Sequence, residues 1–314
     1  MLYIFYNEID TNKCASIAVG QLDNPEVMAV PAGREWFGCK SKLSRLLRWL
    51  GYVLRLPLPF NFSRKFLRLG KAIKPSDSVL IFGSGICISA RIAFPFCKMC
   101  KARKKYRWIW DSILTKEEES WLCDLKKSFD VWTFDRLDAK KYGLTYKNTV
   151  CAIPPAPAAT TFFDCDIYFV GYDRGRYEQV NALYEKFSAM GLACKFLIVR
   201  DEKSPKAQKS VPLLEKGIAT EENYKNLLAA RAVLDFSTEG QNGLTQRTLE
   251  GLLSGRKVVT SNLLVKEESI FNENDIFVLG GRDESELPAF VRAPFVPVNA
   301  APYTINEWIK TFMP

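Results

Sequence analysis

Short apolar runs alternate with segments of helical periodicity over residues 166–279, and this alternation restricts the possible folds more than any other feature of the sequence. The runs that we predict as strands are residues 166–171, 194–199, 232–236, 257–260 and 275–279. Between them, apolar residues recur at helical spacing, as over 177–187 and 245–253. Strands that alternate with helices predict a parallel sheet covered on both faces, with ligands at the carboxyl ends of the strands.

The N-terminal half shows the same alternation less clearly. Residues 2–6, 78–82, 106–110 and 131–134 have the composition of strands, and helix-like segments lie between them. We therefore predict a second α/β sheet in this half of the chain.

Charge separates the two halves. Residues 1–158 hold 26 Lys and Arg against 14 Asp and Glu, whereas the rest of the chain holds 18 against 21. The change falls at the proline-rich stretch 153–159, whose composition favours an extended linker. We predict an N-terminal domain over 1–158, a C-terminal domain over 159–303, and a terminal helix over 304–314 that can pack back on the first domain.

The sequence contains no histidine, which excludes His-dependent nucleophiles, His-ligated metals and a His general base. The nine cysteines follow no repeated spacing, so reduced thiols are expected. The pair Cys97 and Cys100 lacks the second pair that a zinc site requires. We therefore predict no metal and no other cofactor.

The N-terminus lacks the basic and apolar regions of a signal peptide. The most apolar long stretch, 78–97, contains Arg91 and two glycines, which is typical of a buried strand and its sequel rather than a membrane span. A cytoplasmic protein is the expectation.

A glycine-containing loop, Gly171-Tyr-Asp-Arg-Gly-Arg176, joins the first strand of the C-terminal half to a helix. Its glycines, Gly171 and Gly175, let the backbone approach a phosphate, and the helix start supplies free N–H groups. Arg174 and Arg176, on either side of Gly175 and just after Asp173, add positive charge. The alternative is an ordinary turn with solvated arginines.

A second polar, glycine-rich loop, 237–245, follows the strand 232–236 and opens a helix. Arg247 and Glu250 are three residues apart, so they share a helix face near the helix start. A phosphate is expected at that start beside Arg247, and Glu250, one turn deeper, can accept both ribose hydroxyls of a nucleotide. The alternative is an ion pair on the helix surface.

The segment Gly243-Leu-Thr-x-x-x-x-Glu250-Gly-Leu-Leu-Ser-Gly255-x-x-Val-Val resembles the donor-binding segment of GT-B glycosyltransferases, especially those that assemble bacterial O-antigen, capsule and lipopolysaccharide. Three further segments are similar to that family: Val170-Gly-x-Asp-x-Gly-Arg176, Gln241-x-Gly-Leu-Thr-x-Arg247 and Phe134-Asp-x-x-Asp-Ala-x-x-Tyr142-Gly-Leu. The resemblance covers roughly residues 130–310 and extends to the first 130 residues only loosely.

The resemblance implies a GT-B-like α/β fold with two Rossmann-like domains that face each other across a cleft. It also implies a nucleotide-sugar donor, whose ribose Glu250 would hold, and an oligosaccharide or lipid-linked acceptor. The family often places a second Glu eight positions earlier to contact the sugar; Asn242 stands there, and Glu239 is the candidate for that contact. The expected donor site comprises Gly171, Asp173, Arg174, Gly175, Arg176, Gln241, Gly243, Leu244, Thr245, Arg247 and Glu250.

An inverting transferase needs a general base in the N-terminal domain. Asp111, just after a predicted strand, is one candidate, and Glu8 and Asp10, after the first strand, are others. The sequence does not choose among them.

Residues 40–74 hold ten cations and no acid, interleaved with leucines and a tryptophan, and residues 98–107 add six more cations. This pattern favours contact with the anionic inner face of the cytoplasmic membrane, through Arg45, Arg48 and Arg55 among others. The alternative is a packed helix with a solvated basic face. No nucleic-acid-binding motif accompanies the charge, so nucleic acid is not an expected partner.

The motif Asp164-Cys-Asp166 is similar to the Asp-x-Asp of metal-dependent glycosyltransferases, but it lies at the start of a strand, away from the ligand edge. Arginines can neutralise a departing diphosphate instead, so we expect a metal-independent transferase that uses activated nucleotide sugars. Two other functions stay open: a GT-B-fold nucleotide-sugar epimerase, and a non-catalytic polysaccharide-assembly protein that retains the fold.

Overall fold

The computed structural model describes residues 1–6, 14–31, 64–83, 100–152, 162–237, 240 and 242–314. The chain divides into two compact units: the first comprises Met1–Ile153 with Pro302–Pro314, and the second comprises Pro154–Ala301. The prediction from charge and composition places the boundaries at 158/159 and 303/304.

A parallel sheet forms the centre of the first unit. Its described strands are β1 Leu2–Tyr6, β2 Val27–Pro31, β3 Ser78–Gly83, β4 Lys104–Ile109, β5 Asp130–Thr133 and β6 Thr145–Tyr146. They lie in the order β2-β1-β3-β4-β5-β6. Its described helices are α1 Cys14–Val19, α2 Arg64–Ala72, α3 Lys116–Leu125 and α4 Arg136–Tyr142.

Both faces of this sheet are buried, because successive side chains of a strand point to opposite faces. Tyr3 and Phe5 belong to a core cluster with apolar residues of α3. Leu2 and Ile4 belong to a second cluster with the C-terminal segment of the chain, which consists of α9 Ile305–Trp308 and a 3-10 turn, Ile309–Phe312. The end of the chain therefore packs on the first unit.

The second unit also has a parallel sheet at its centre. Its described strands are β7 Cys165–Tyr172, β8 Cys194–Val199, β9 Leu213–Leu214, β10 Ala230–Asp235, β11 Lys257–Thr260 and β12 Ile276–Val278. Its described helices are α5 Tyr177–Ala189, α6 Thr220–Leu228, α7 Gln246–Leu253 and α8 Leu287–Arg292.

The strands of the second sheet lie in the order β12-β11-β10-β7-β8-β9. Counted from the first strand of this unit, the order is 3-2-1-4-5-6, which is that of the Rossmann fold. Every residue of β11 is buried, as a parallel sheet with helices on both faces requires. The parallel α/β architecture predicted for both halves is confirmed.

Gly251 lets α7 lie close against this sheet. A Cβ atom at Gly251 would stand 2.6 Å from Val233 Cγ2 and 3.0 Å from Val258 Cγ2, which is too close for a side chain. The helix that carries Arg247 and Glu250 is thus held directly on β10 and β11.

Candidate functional site

The order of strands in the second sheet reverses between β7 and β10, which are hydrogen-bonded neighbours. In doubly wound sheets, ligands bind at such a switch point, in the crevice outside the carboxyl ends of the two strands. The loops that follow β7 and β10 are the two glycine-containing loops predicted as the donor site. The fold therefore brings both loops to one place.

The loop after β7 is a tight turn, in which Arg176 N donates to Asp173 O at 3.0 Å. Arg174 has φ 51° and Gly175 has φ 81°, so both central residues are left-handed. That conformation is ordinary for glycine and strained for arginine. Asp201 Oδ2 stabilises it by accepting a hydrogen bond from Arg174 N at 2.7 Å.

Asp173 ties this turn to the start of α5. The side chain is fully buried, and its Oδ1 accepts a hydrogen bond from Tyr177 N at 2.8 Å. Its Oδ2 has no hydrogen-bond partner within the described residues. A buried carboxylate oxygen that lacks a donor is costly, so this position is not optimised for stability.

Arg176 bridges the two strand ends at the switch point. Its guanidinium donates to Tyr172 O from Nε at 3.2 Å and from Nη2 at 3.1 Å, and to Phe236 O from Nη1. Gly171 leaves room for this arrangement, since a Cβ there would stand 2.6 Å from Arg176 Nη2. Burial lowers the pKa of Arg176 to about 10. Arg176 therefore contributes charge to the site, whereas its hydrogen bonds go to the backbone.

The loop before α7 is fixed from both sides. Thr245 is the N-cap of α7, and its side chain accepts a hydrogen bond from Thr248 N at 3.2 Å. Asn262 Nδ2 donates to Asn242 O at 3.2 Å and to Gly243 O at 3.4 Å. Leu244, between Gly243 and Thr245, is 2% exposed. This buried apolar side chain holds the chain in place just before α7 begins.

Arg247 and Glu250 form an ion pair that is largely buried rather than on the helix surface. Arg247 Nη1 lies 3.1 Å from Glu250 Oε2, without the geometry of a hydrogen bond. Burial raises the pKa of the Glu250 carboxyl, the Arg247 charge opposes that rise, and Asp235 adds to it. Arg247 is also close enough to Arg176 for its charge to lower the pKa of Arg176 further.

Asp235 is a site residue that sequence reasoning missed. It is the last residue of β10, and its buried Oδ2 accepts a hydrogen bond from the Thr248 hydroxyl at 2.7 Å. The available signal was an acid at the end of a strand whose three preceding residues, 232–234, are apolar.

Several sequence candidates lie outside the described residues. They are Glu8, Asp10, Arg45, Arg48, Arg55, Cys97, Glu239 and Gln241. Of the general-base candidates, Asp111 alone is described. It is exposed beyond the end of β4, and its charge acts on Arg107, a fully buried arginine whose pKa burial lowers to about 10.

A second acidic group lies at the carboxyl ends of β4 and β5, within the segment Phe134-Asp-x-x-Asp-Ala that is similar to the GT-B family, but it was not among the predicted site residues. Asp135 caps α4 and accepts a hydrogen bond from the Ser112 hydroxyl at 3.0 Å. Asp138 accepts from Ile113 N at 2.8 Å. Burial, with a further contribution from Asp135, raises the pKa of the Asp138 carboxyl to about 6.

The described parts of the two basic segments meet at the amino end of the first sheet. Lys104 begins β4 beside Ser78, the first residue of β3, and Arg103 N donates to Pro75 O at 3.4 Å. We call the exposed cations there the basic edge: Arg68, Lys71, Lys74, Lys101, Arg103 and Lys104. The nearby Asp77 is buried and accepts hydrogen bonds from the Met1 amine and Lys74 N.

The Asp164-x-Asp166 motif lies at the amino end of β7, opposite the switch point. Asp166 accepts a hydrogen bond from Ala193 N at 2.9 Å and pairs with Arg231 at 3.3 Å. In the described part of the chain, no group of three or more Cys, Asp or Glu is placed to hold a metal ion. The described helices also include none that is long and apolar enough to cross a membrane.

Neither protein-family models nor curated protein sequences give a match to this sequence. Among solved structures, the chain is similar to the UDP-forming α,α-trehalose-phosphate synthase of Burkholderia vietnamiensis, with 9% identity over 97% of this chain and 94% of that chain and a TM-score of 0.50.

Two further solved structures are similar to the chain. One is the N-terminal domain of Candida albicans trehalose-6-phosphate phosphatase, with 10% identity, 99% and 93% coverage and a TM-score of 0.48. The other is the glycosyltransferase SnogD of Streptomyces nogalater, with 10% identity, 100% and 96% coverage and a TM-score of 0.40. The likeness to the synthase, together with the two parallel sheets, shows a two-domain, Rossmann-like fold of the GT-B type.

Proposed function

We propose that the protein is a glycosyltransferase whose nucleotide-sugar donor binds to the second unit at the carboxyl ends of β7 and β10. The observation that carries this proposal is the buried pair of Arg247 and Glu250 at the start of α7, beside the switch point. A cation at a helix start binds phosphate, and a buried carboxylate nearby accepts hydroxyl groups. A nucleoside diphosphate offers both kinds of group.

We assign the binding of the diphosphate to the N-terminal ends of two helices, α5 and α7. The backbone N–H groups at the starts of α5 and α7 point toward the switch point, and Arg174 and Arg247 add positive charge there. Glycosyl transfer leaves negative charge on the departing diphosphate, and fixed cations stabilise that charge without any reorganisation. These arginines can therefore replace a metal ion.

Three buried polar groups around the switch point support a polar ligand. Asp173 Oδ2, Ser237 Oγ and Arg247 Nη1 have no hydrogen-bond partner within the described residues. Buried polar atoms are normally satisfied. A sugar hydroxyl can donate to Asp173, and a phosphate oxygen can accept from Arg247.

The acceptor is a glycan, which we assign to the first unit, and Asp111 is the described candidate for its general base. We also propose that the basic edge docks the protein on an anionic membrane surface, in keeping with a lipid-linked acceptor in the assembly of bacterial surface polysaccharide. The basic edge lies about 20 Å, the length of a strand, from the carboxyl ends of the first sheet. A protein docked through the basic edge would need a long acceptor, whose lipid stays in the membrane while its glycan end reaches the carboxyl ends of the first sheet.

The test is a titration of the purified protein with UDP, GDP, dTDP and CDP in the presence of EDTA. We expect one of them to bind saturably and to raise the melting temperature, because a ligand that binds the native state stabilises it by mass action. The matching nucleotide sugars should then release that nucleoside diphosphate when an acceptor is supplied. Absence of binding by all four would contradict the proposal, and binding that requires Mg²⁺ or Mn²⁺ would contradict metal independence.

A further inference from the structure

Asp235 makes no contact in the donor-binding scheme above, yet its carboxylate joins three elements of the second unit. The residue is 5% exposed. Its Oδ2 accepts hydrogen bonds from the hydroxyls of Thr248 at 2.7 Å and Thr260 at 3.4 Å, and its backbone oxygen accepts from Ser261 N at 3.1 Å. The end of β10 is thereby connected to the first turn of α7 and to the end of β11.

Thr248 is the link between this carboxylate and the charged residues of α7. It follows Arg247 directly, precedes Glu250 by two positions and is 1% exposed. A hydrogen bond from its side chain to the fixed end of a strand sets the rotation of α7 about its axis. Rotation of the helix would move both charged side chains, so this bond controls where they point.

The charge of the Asp235 carboxylate also helps to position residues of the donor site, as the hydrogen bond to Thr248 does. Burial raises the pKa of the Asp235 carboxyl, whereas hydrogen bonds from Thr248 and Thr245 and the charges of Arg247 and Arg176 lower it. Asp235 is therefore close enough to Arg176, at the end of the first loop, and to Arg247, in the first turn of α7, for both charges to act on it. Its attraction holds two like charges together at the switch point, where they would otherwise repel each other.

We propose that Asp235 is a positioning residue of the donor site, which acts through the Thr248 hydroxyl to orient Arg247 and Glu250 toward the nucleotide. This inference rests on the proposed function and adds a residue that does not touch the ligand. A displacement of about 1 Å is enough to weaken the contacts of a binding site markedly. Loss of the Asp235–Thr248 hydrogen bond should therefore reduce the affinity for the nucleotide, although neither residue touches it.

The test compares Thr248→Val with Thr248→Ser by calorimetric titration with whichever of UDP, GDP, dTDP and CDP the wild type binds. Valine keeps the shape of threonine without the hydroxyl, whereas serine keeps the hydroxyl. We expect Thr248→Val to weaken affinity about three- to tenfold and Thr248→Ser to stay within about twofold of wild type. Thr133→Val removes a buried hydroxyl from the first unit and should leave affinity unchanged.

Thermal unfolding without ligand checks that each variant is folded. If Thr248→Val does not fold, Thr248→Ala takes its place, because alanine favours a helix. Unchanged affinity in Thr248→Val, or an equal loss in Thr248→Ser, would overturn the positioning role while leaving the proposed function in place. A wild type that binds none of the four nucleotides would overturn the proposed function and this inference with it.

Discussion

Arg247 Nη1 lies 3.1 Å from Glu250 Oε2 in a pair whose side chains are only 17% and 10% exposed. Removing two charges from water costs more than one ion pair commonly returns, so a buried pair is weak evidence for stability. Burial raises the pKa of the Glu250 carboxyl, in keeping with this cost. This cost supports our proposal that the pair binds a ligand.

Glu250→Ala should weaken the affinity for the nucleoside diphosphate about tenfold to a hundredfold. The variant loses a charged acceptor for two ribose hydroxyls, a change of about 1.5–3 kcal/mol. Calorimetric titration measures the loss, and Glu221→Ala, at an exposed acid in the first turn of α6, is the matched control. An affinity equal to that of the control would mean that Glu250 serves only as the partner of Arg247.

Arg174→Gly should separate stability from binding. Glycine adopts a φ of 51° without strain, so the variant should gain about 1 kcal/mol of unfolding free energy. It should also lose affinity for the nucleoside diphosphate, because a cation at the phosphate site is removed. Urea denaturation and titration measure the two effects, with Arg200→Gly as a control at an ordinary φ. A variant that is stabilised and binds normally would show that Arg174 has no role in the donor site.

Asp138→Asn should change how stability depends on pH. The pKa of Asp138 in the folded protein is about 6, above its ordinary value of 3.8. The folded state therefore binds the proton more tightly than the unfolded state. The resulting stabilisation is fully present below about pH 4 and is lost as the pH rises through about 6. Asparagine holds no titrating proton. At pH 7.5 the variant should exceed wild type by about 1–2 kcal/mol, less than the full shift implies because water screens part of the charge.

That advantage of Asp138→Asn should shrink as pH falls to 4.5. Urea denaturation of both proteins at the two pH values gives the difference, and Asp130→Asn, at an exposed acid, is the control. An advantage that does not change with pH would contradict the assigned pKa.

The elements that sequence reasoning placed well are those with a strong apolar signal. β1, β8 and β11 were predicted with their observed bounds, because each contains a run of apolar residues that the parallel sheet buries. β2 was missed because it lies at the edge of its sheet and its residues are partly exposed. The residue type of Thr220, followed by two acids, favours an N-cap at that position, but α6 begins at Thr220, and Ala219 is its N-cap without a side-chain hydrogen bond.

Some residues of the candidate site could likewise be predicted from the sequence, and others could not. Motif and spacing placed Arg247 and Glu250 on one helix face, and the structure brings them together with Arg176. The role of Asp235 depends on hydrogen bonds from α7 and β11, contacts between distant parts of the chain that no local pattern shows. Local sequence equally gave no sign that the Arg176 guanidinium is hydrogen-bonded to the backbone across two strands.

Replacing Lys101, Arg103 and Lys104 with Gln should weaken binding to vesicles that contain anionic lipid. Each cation near such a surface contributes about 1 kcal/mol, and salt screens the attraction. Co-sedimentation should therefore rise with anionic lipid content and fall with added salt. A control triple variant, Lys206→Gln, Lys216→Gln and Lys225→Gln, removes the same charge from exposed positions of the second unit. Equal binding by the two triple variants would contradict docking through the basic edge.

Hydrogen exchange of the wild-type protein, with and without saturating nucleoside diphosphate, tests the location of the donor site most directly. Backbone N–H groups at the two helix starts should exchange more slowly when they bind phosphate. We predict protection in peptides that cover residues 171–179 and 242–250, with little change along the basic edge. Protection confined to the first unit, or protection of neither loop at saturation, would contradict a donor site at the switch point of the second sheet.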